Sequence, residues 1–282
     1  MPPLSSQHLL RQVYHMGIFS GKKKILKLYL NGEITSDASK FGGDNSVRKL
    51  KNALLELKQK NKSDYKGVLL KINSPGGTAG TSEELAKLVL SLRDTVPVVS
   101  SIADSACSGA YMIAAASNYI FANTMSWTGS IGVIMILPNY VELSKKLGVS
   151  FKTIKAGKMK DLGSPYREMT PDEELYLESL VKRAHADFID FIKLTRPNAI
   201  NLDELADGRI FDARTALENN LIDNLGTEDD ALNFLITEIL HGNEKDFNVT
   251  DTAPKPNFLQ RILHMTAPIT VKLELPNNFP RF

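Results

Sequence analysis

The twelve residues GVLLKINSPGGT, at positions 67–78, decide the fold class of this chain of 282 residues. Residues 67–72 form an apolar run that predicts a buried strand, and the turn residues after it end the strand. A helix is predicted from about Thr81, where Thr81 and Glu84 match a capping box. Residues 97–102 predict the next strand. Strand, helix and strand in this order predict an α/β fold with a parallel sheet covered by helices.

The alternation of strands and helices continues over the next hundred residues. A helix of small residues is predicted to open at Ser108 and run through Ala116, and a short strand follows at residues 119–122. Residues 129–135 and 151–154 are predicted as further strands. The run Thr-Pro-Asp-Glu at residues 170–173 predicts the start of a long helix, with Thr as N-cap and Pro at the first helical position.

The ends of the chain differ from its middle. Residues 1–24 are predicted to be a mixed lead-in segment, and residues 25–240 a single folded domain that begins with a strand. Proline and asparagine become more frequent beyond residue 240. Residues 241–282 are therefore predicted to be an extended C-terminal tail.

Composition excludes several classes of function. The 34 basic and 32 acidic residues give a net charge of +2, so no nucleic-acid partner is expected. A single cysteine, Cys107, allows no intramolecular disulfide and no cysteine-only metal site. No phosphate-binding glycine motif or zinc-ligand cluster occurs, so neither a cofactor nor a metal is expected.

The sequence carries no apolar run of the roughly 18 residues that span a bilayer and no secretory signal pattern. We therefore expect a soluble, cytoplasmic protein or one peripheral to a membrane. The basic run Lys22-Lys23-Lys24 predicts a solvated patch, with a membrane-surface contact as the lesser alternative.

Two glycine-bearing junctions between a strand and a helix lie about thirty residues apart, at residues 74–77 and 106–111. The carboxyl ends of parallel strands meet at one edge of the sheet, where α/β proteins bind their ligands. The N–H groups of Gly77 and Gly109 could together form an oxyanion hole. Ser108 would lie between them at a helix N-terminus, and this arrangement suits acyl transfer.

A serine nucleophile needs a general base. The sequence places no histidine near the two junctions, so no Ser-His-Asp triad is supported; the histidines are His8, His15, His185, His241 and His264. A lysine can take this role when burial lowers the pKa of its ammonium from about 10.4 toward neutrality. Spacing does not choose among the three lysine candidates, Lys155, Lys158 and Lys160.

Several separated segments resemble the signal peptide peptidase A (protease IV) family, over roughly residues 65–235. They are KINSPGG at 71–77, SGAY at 108–111, TGSIGV at 128–133, KDLGSPYREMT at 160–170 and ADGRIF at 206–211. The resemblance implies a crotonase-like (Clp-protease-like) fold of repeated ββα and βαβ units. It also implies a serine endopeptidase with a Ser–Lys dyad.

The resemblance assigns the site residues. Ser108 matches the family's nucleophile and Lys160, before Asp161, matches its general base; Gly77 matches the oxyanion-hole glycine. It further implies homo-oligomers in rings or domes and peptide substrates such as cleaved signal peptides. Ala110 stands where the family usually has a second glycine, and Cys107 is interpreted as a small buried residue.

Three alternatives stay open at this point. The first is a phage-type or cytoplasmic peptidase of the same family with another client, because the membrane anchor common in the family is not recognised here. The second is an acyl-CoA hydratase or isomerase of the crotonase fold, for which Asp104 is the nearest acid to the second junction. The third is a non-catalytic scaffold, against which Ser108 and Lys160 both argue.

Overall fold

A parallel β-sheet forms the centre of the computed structural model, which describes residues 22–36, 46–59 and 64–253. Its strands are β1 (Lys23–Asn31), β2 (Tyr65–Ser74), β3 (Val98–Cys107), β4 (Tyr119–Ala122), β5 (Trp127–Gly129), β6 (Ile210–Asp212), β7 (Asn224–Leu225) and β8 (Phe247–Asp251). The strand order is β6-β5-β3-β2-β1-β8, with β4 beside β3 and β7 beside β4. Only the β5–β6 pair within the described ranges is antiparallel.

Helices cover both faces of the sheet. They are α1 (Ser46–Gln59), α2 (Ala79–Leu92), α3 (Gly109–Ala115), α4 (Val141–Lys146), α5 (Pro171–Thr195), α6 (Leu202–Leu205), α7 (Ala213–Glu218) and α8 (Glu228–Phe234), which continues as a π-helical turn over Leu235–Ile239. Alternate strand residues point to opposite faces. Thus Val68 and Leu70 pack in one core with α1, α2, α3 and α5, whereas Leu69 packs in a second core with α8.

The predicted α/β class and the parallel, helix-covered sheet are therefore confirmed. The predicted capping box at Thr81 and Glu84 is wrong, because α2 already begins at Ala79 with Thr78 as its N-cap. The N–H of Thr78 donates to the carbonyl of Ile34 at 2.8 Å, and this bond fixes the extended backbone from which the helix departs.

Two further strand predictions are also wrong. Strand β5 ends at Gly129, and neither residues 130–140 nor residues 151–154 form strands. Most of their apolar side chains point outward, although Ile131 is buried: Ile134 is 83% exposed and Ile154 is 91% exposed. Apolar composition in this part of the chain marks a surface rather than a core.

The sheet includes residues beyond position 240, because β8 pairs in parallel with β1. This strand lies within the stretch that the sequence predicts as an extended tail. The boundaries at residues 24 and 240 stay predictions. Most of the lead-in, and residues 254–282 of the tail, lie outside the described residues. Among the described helices, none is both long and apolar enough to cross a membrane.

Candidate active site

Ser108 lies at the junction where β3 ends at Cys107 and α3 begins at Gly109. Its backbone has φ 53° and ψ −126°, a conformation that residues with a Cβ rarely adopt. The N–H of Ser108 donates to the carbonyl of Gly129 at 2.8 Å, and its own carbonyl accepts from Met112 N–H at 3.1 Å. These two bonds hold the serine in a sharp turn at the carboxyl end of the central strand.

The first glycine junction touches the second one directly. Gly76 has φ 99°, and a Cβ added there would lie 2.8 Å from the Cβ of Ser108 and 3.0 Å from the N atom of Gly109. No side chain fits between the two turns. Parallel pairing of β2 with β3 brings the junctions to the same edge, as the sequence predicts, and the glycine permits their contact.

Gly77 is held by a short bridge to Ile34, in the segment that follows β1. Ile34 N–H donates to the carbonyl of Gly76 at 2.8 Å, and Thr78 N–H donates to the carbonyl of Ile34 at 2.8 Å. These bonds leave the N–H of Gly77 without an acceptor in the described part of the chain. A Cβ on Gly77 would lie 2.1 Å from the Ile34 carbonyl oxygen, so the position requires glycine.

Gly109 begins α3, and within the described ranges its N–H likewise has no acceptor. Ser82 of α2 lies directly beneath it, buried, with its hydroxyl donating to the carbonyl of Thr78 at 2.9 Å. A Cβ on Gly109 would lie 2.0 Å from that hydroxyl oxygen. The packing of α2 on α3 therefore fixes a second free N–H next to the serine.

A cavity of about 560 Å³ opens in front of Ser108. Gly77, Gly109 and Ser108 all line it, so the structure brings these three predicted residues together. Its apolar wall comes from α3, from the segment after β5 and from α5, through Met112, Val133, Ile134, Ala184 and Phe188. A cavity with a polar turn on one side and an apolar wall on the other suits an extended peptide.

Lys160 is not among the residues that line this cavity. It lies on the segment between α4 and α5, with its side chain exposed and its backbone N–H donating to the Gly157 carbonyl at 3.2 Å. Its ammonium has no hydrogen-bond or ion-pair partner in the described part of the chain. The pairing of Lys160 with Ser108 stays a prediction.

Glu33 also lines the cavity and is exposed, whereas three other titratable groups of the region have partners or are buried. The ring of His185 contacts the Ile131 carbonyl at 3.2 Å, and the carboxylate of Asp104 accepts from the Asn73 amide at 2.7 Å. Burial raises the pKa of the Cys107 thiol, which makes it a poor nucleophile. Over residues 22–36, 46–59 and 64–253, no three His, Cys, Asp or Glu side chains are grouped to hold a metal ion.

Sequence reasoning missed three contributors to the cavity. Ile34 fixes Gly77 from the segment after β1, for which the sequence analysis makes no prediction. Ser130 lines the cavity with φ 50°, and its N–H donates to the Arg209 carbonyl at 2.8 Å. Phe188 comes from a helix eighty residues downstream of the nucleophile. Only Ser130 had a local signal, its place between Gly129 and Ile131 in the TGSIGV segment.

Known proteins resemble the chain in sequence and fold. The family model described as peptidase family S49 matches residues 91–239. A candidate protease of Methanocaldococcus jannaschii is 43% identical over 218 residues, which cover 75% of this chain and 70% of that protein. A candidate signal peptide peptidase of Enterococcus faecium is 39% identical over 225 residues, which cover 78% of this chain and 64% of that protein.

Among solved structures, a membrane-bound stomatin-specific protease in complex with a substrate peptide matches 86% of this chain and 97% of its own. The TM-score is 0.50 and the sequence identity is 16%. This likeness concerns the fold, and with the family match it confirms the predicted crotonase-like (Clp-protease-like) architecture.

Proposed function

The chain belongs to peptidase family S49 and is a serine-type peptidase, and on that premise we propose that it cleaves peptides with Ser108 as nucleophile and Lys160 as general base. The observation that carries the proposal is the position of Ser108 between two free N–H groups. The N–H groups of Gly77 and Gly109 have no acceptor in the described part of the chain, and both glycines line the same cavity as the serine.

In the proposed reaction Lys160 acts first as the general base and then as the general acid. The neutral amine of Lys160 takes the hydroxyl proton of Ser108, and the serine oxygen attacks the substrate carbonyl. The resulting oxyanion accepts hydrogen bonds from Gly77 and Gly109. Lys160 then gives the proton to the leaving amine. In the second half of the cycle Lys160 takes a proton from a water that attacks the acyl-enzyme, and it gives that proton to the Ser108 oxygen as the acyl bond breaks.

Two of the three candidate lysines can be compared directly. Lys155 already donates to the carboxylate of Asp161 and to the carbonyl of Lys158, so its ammonium is paired and is not available as a base. Lys160 carries no such bond. This difference supports Lys160 over Lys155, and Lys158, which is also exposed, supplies a matched control.

The base and the nucleophile belong to different parts of one chain, which suggests how the site is completed. Residues 133–169 expose a large apolar surface of the kind that another molecule covers; it includes Ile134, Met135, Ile136, Leu143, Leu147, Phe151 and Ile154. We infer that a second copy of the chain covers it in a ring- or dome-like homo-oligomer. Water would then be excluded around Lys160, which favours its neutral form.

The proposed substrates are peptides with small or apolar side chains at the cleavage site, because Met112, Val133 and Phe188 form the cavity wall. Cleaved signal peptides fit this description, and one relative is named as a candidate signal peptide peptidase. A cytoplasmic location, with or without peripheral contact to a membrane, belongs to the same proposal. Fractionation of cells followed by immunoblotting tests it.

The first experiment measures hydrolysis of short fluorogenic peptides by wild type, Ser108→Ala, Lys160→Ala and the control Lys158→Ala. Loss of turnover on the order of 10³-fold or more is expected for the first two variants, and none for the control. Near-normal activity of Lys160→Ala at neutral pH would refute the dyad. Loss in Lys158→Ala alone would move the base to that residue.

Mixing inactive subunits tests where the dyad forms. If Lys160 of one subunit serves Ser108 of its neighbour, co-refolded Ser108→Ala and Lys160→Ala chains regain activity, because some neighbouring pairs carry both intact residues. An inactive mixture, in oligomers of normal size, would place both residues of each dyad in the same subunit.

A further inference from the structure

A single arginine fastens the segment that carries Lys160 to the long helix α5. The guanidinium of Arg167 donates to the carboxylate of Asp161 through Nε and Nη2, both at 2.8 Å. It also donates to the carboxylate of Glu173 through Nη1 at 2.8 Å and Nη2 at 2.6 Å. Two bidentate pairs on one planar group fix its orientation, a geometry that lysine cannot reproduce.

Both carboxylates are largely withdrawn from solvent. The side chain of Asp161 is 11% exposed and that of Glu173 is 6% exposed. Hydrogen bonds from Arg167 hold the pKa of Asp161 well below its usual range and that of Glu173 at about 2, so both are ionised at neutral pH. Without Arg167 these charges would lie nearly buried and poorly paired, which is costly.

Glu173 connects this cluster to the active-site cavity. It is the third residue of α5, and its carboxylate also accepts from Thr170 N–H at 3.0 Å in a capping box. The same helix lines the cavity through Ala184 and Phe188. Through its bonds to Asp161 and Glu173, Arg167 therefore links the segment that carries Lys160 to the helix that forms one wall of the cavity.

Asp161 is the immediate neighbour of Lys160 in the chain, and its charge is already balanced. The charged groups around its carboxylate are Arg167, Lys155 and, through the shared guanidinium, Glu173. Lys160 is left without a partner in the described ranges. An unbalanced carboxylate at position 161 would favour the protonated, catalytically idle form of a nearby lysine.

We propose that Arg167 is a positioning residue for Lys160: it holds the lysine's segment on the start of α5 and occupies the carboxylate of Asp161, so that the amine stays unpaired. The inference rests on the proposed role of Lys160 as general base. It makes two separable claims, one about geometry and one about charge.

The test compares Arg167→Met, Arg167→Lys, Lys160→Ala and the control Arg183→Met by kcat, KM and the pH dependence of kcat. Arg183 lies on α5, is exposed and makes one bond, to the Ser179 carbonyl. Arg167→Met is expected to lower kcat at least about tenfold with KM nearly unchanged, because the base is misplaced. The pH of half-maximal kcat should rise by about one unit, because the carboxylates of Asp161 and Glu173 then keep only Lys155 as a cationic partner between them.

Arg167→Lys keeps the positive charge but cannot form the two bidentate pairs of the guanidinium. We expect its half-maximal pH to return to that of wild type while kcat stays reduced, a separation that general destabilisation would not produce. Should Arg167→Met fail to fold or assemble by circular dichroism and sedimentation, Arg167→Lys decides alone. Wild-type kcat and an unmoved pH profile in that variant would overturn the proposal.

Lys160→Ala separates this proposal from the one on which it rests. An inactive Lys160→Ala beside a fully active Arg167→Met overturns only the role of Arg167. An active Lys160→Ala refutes the dyad itself. Loss of activity in Arg183→Met equal to that in Arg167→Met would also overturn the proposal, because an arginine without a bond to Asp161 or Glu173 would then have the same effect.

Discussion

At the scale of single residues, the backbone of Ser108 is the least ordinary feature of the chain. A side chain at φ 53° and ψ −126° costs on the order of 1–3 kcal/mol, and surrounding structure must maintain it. Hydrogen bonds to Gly129 and from Met112 do so here. The sequence identifies a serine between a strand and a helix, but it does not reveal the strained backbone that exposes its hydroxyl.

This strain predicts an unusual order of stabilities. Ser108→Gly should be more stable than Ser108→Ala by about 1 kcal/mol, because relief of the positive φ exceeds the entropic cost of glycine. Urea denaturation of the two inactive variants measures the difference. At Ser91, in helix α2, the same pair should show the reverse order. A less stable Ser108→Gly would mean that the serine is not strained.

At the scale of elements, the two junctions depend on glycines with different neighbours. Gly77→Ala should abolish activity and destabilise the fold by at least about 2 kcal/mol, because the new Cβ would strike the Ile34 carbonyl. Gly80, three residues on and inside α2, has no atom within 4 Å of an added Cβ. Gly80→Ala should keep activity and gain up to about 1 kcal/mol, as measured by thermal unfolding and peptide hydrolysis.

The start of helix α8 is tied to the sheet by charge. Glu228 pairs with Lys27 of β1 and with Lys71 of β2, at 2.7 Å for the latter. These lysines lower the pKa of Glu228 despite its partial burial, so its contribution is present above the unfolded pKa of about 4.3 and is lost as pH falls further. For Lys27 the pKa is raised, so its share persists until strongly alkaline pH.

A pH-dependent difference in stability follows. Glu228→Gln should cost on the order of 1 kcal/mol at pH 7, and the difference from wild type should shrink as pH falls below about 4. Paired urea titrations at pH 7 and pH 3 measure it. Equal costs at both pH values would show that the hydrogen bonds, and not the charge, carry the stabilisation.

The elements that could be predicted from the sequence are those with a buried periodic face. The apolar run of β2 and the stripe of α2 give the strand–helix–strand unit, and the unit in turn brings Gly77, Ser108 and Gly109 to one edge. Residues 130–135 and 151–154 misled the same reasoning, because exposed apolar side chains are indistinguishable in sequence from those directed at a core. Lys160 lies in that irregular region, so only a family resemblance could single it out.

At the scale of the whole molecule, the exposed apolar surface over residues 133–169 predicts self-association. Ile154→Glu should weaken the oligomer and lower specific activity at micromolar concentration, because the side chain is almost fully exposed in one chain. Sedimentation velocity measures the change. Leu194→Glu, at an exposed apolar position near the far end of α5, serves as control. A strictly monomeric and active wild type would contradict the prediction.

The parallel pairing of β8 with β1 joins residues 247–251 to residues 23–27. During translation, the outer edge of β1 therefore stays unpaired until residues 247–251 have left the ribosome. At about 5–20 residues per second, that interval is roughly 11 to 45 s. Throughout it the nascent chain presents an open strand edge, which is a template for aggregation. Slowing synthesis should therefore lower the soluble yield unless a chaperone covers that edge.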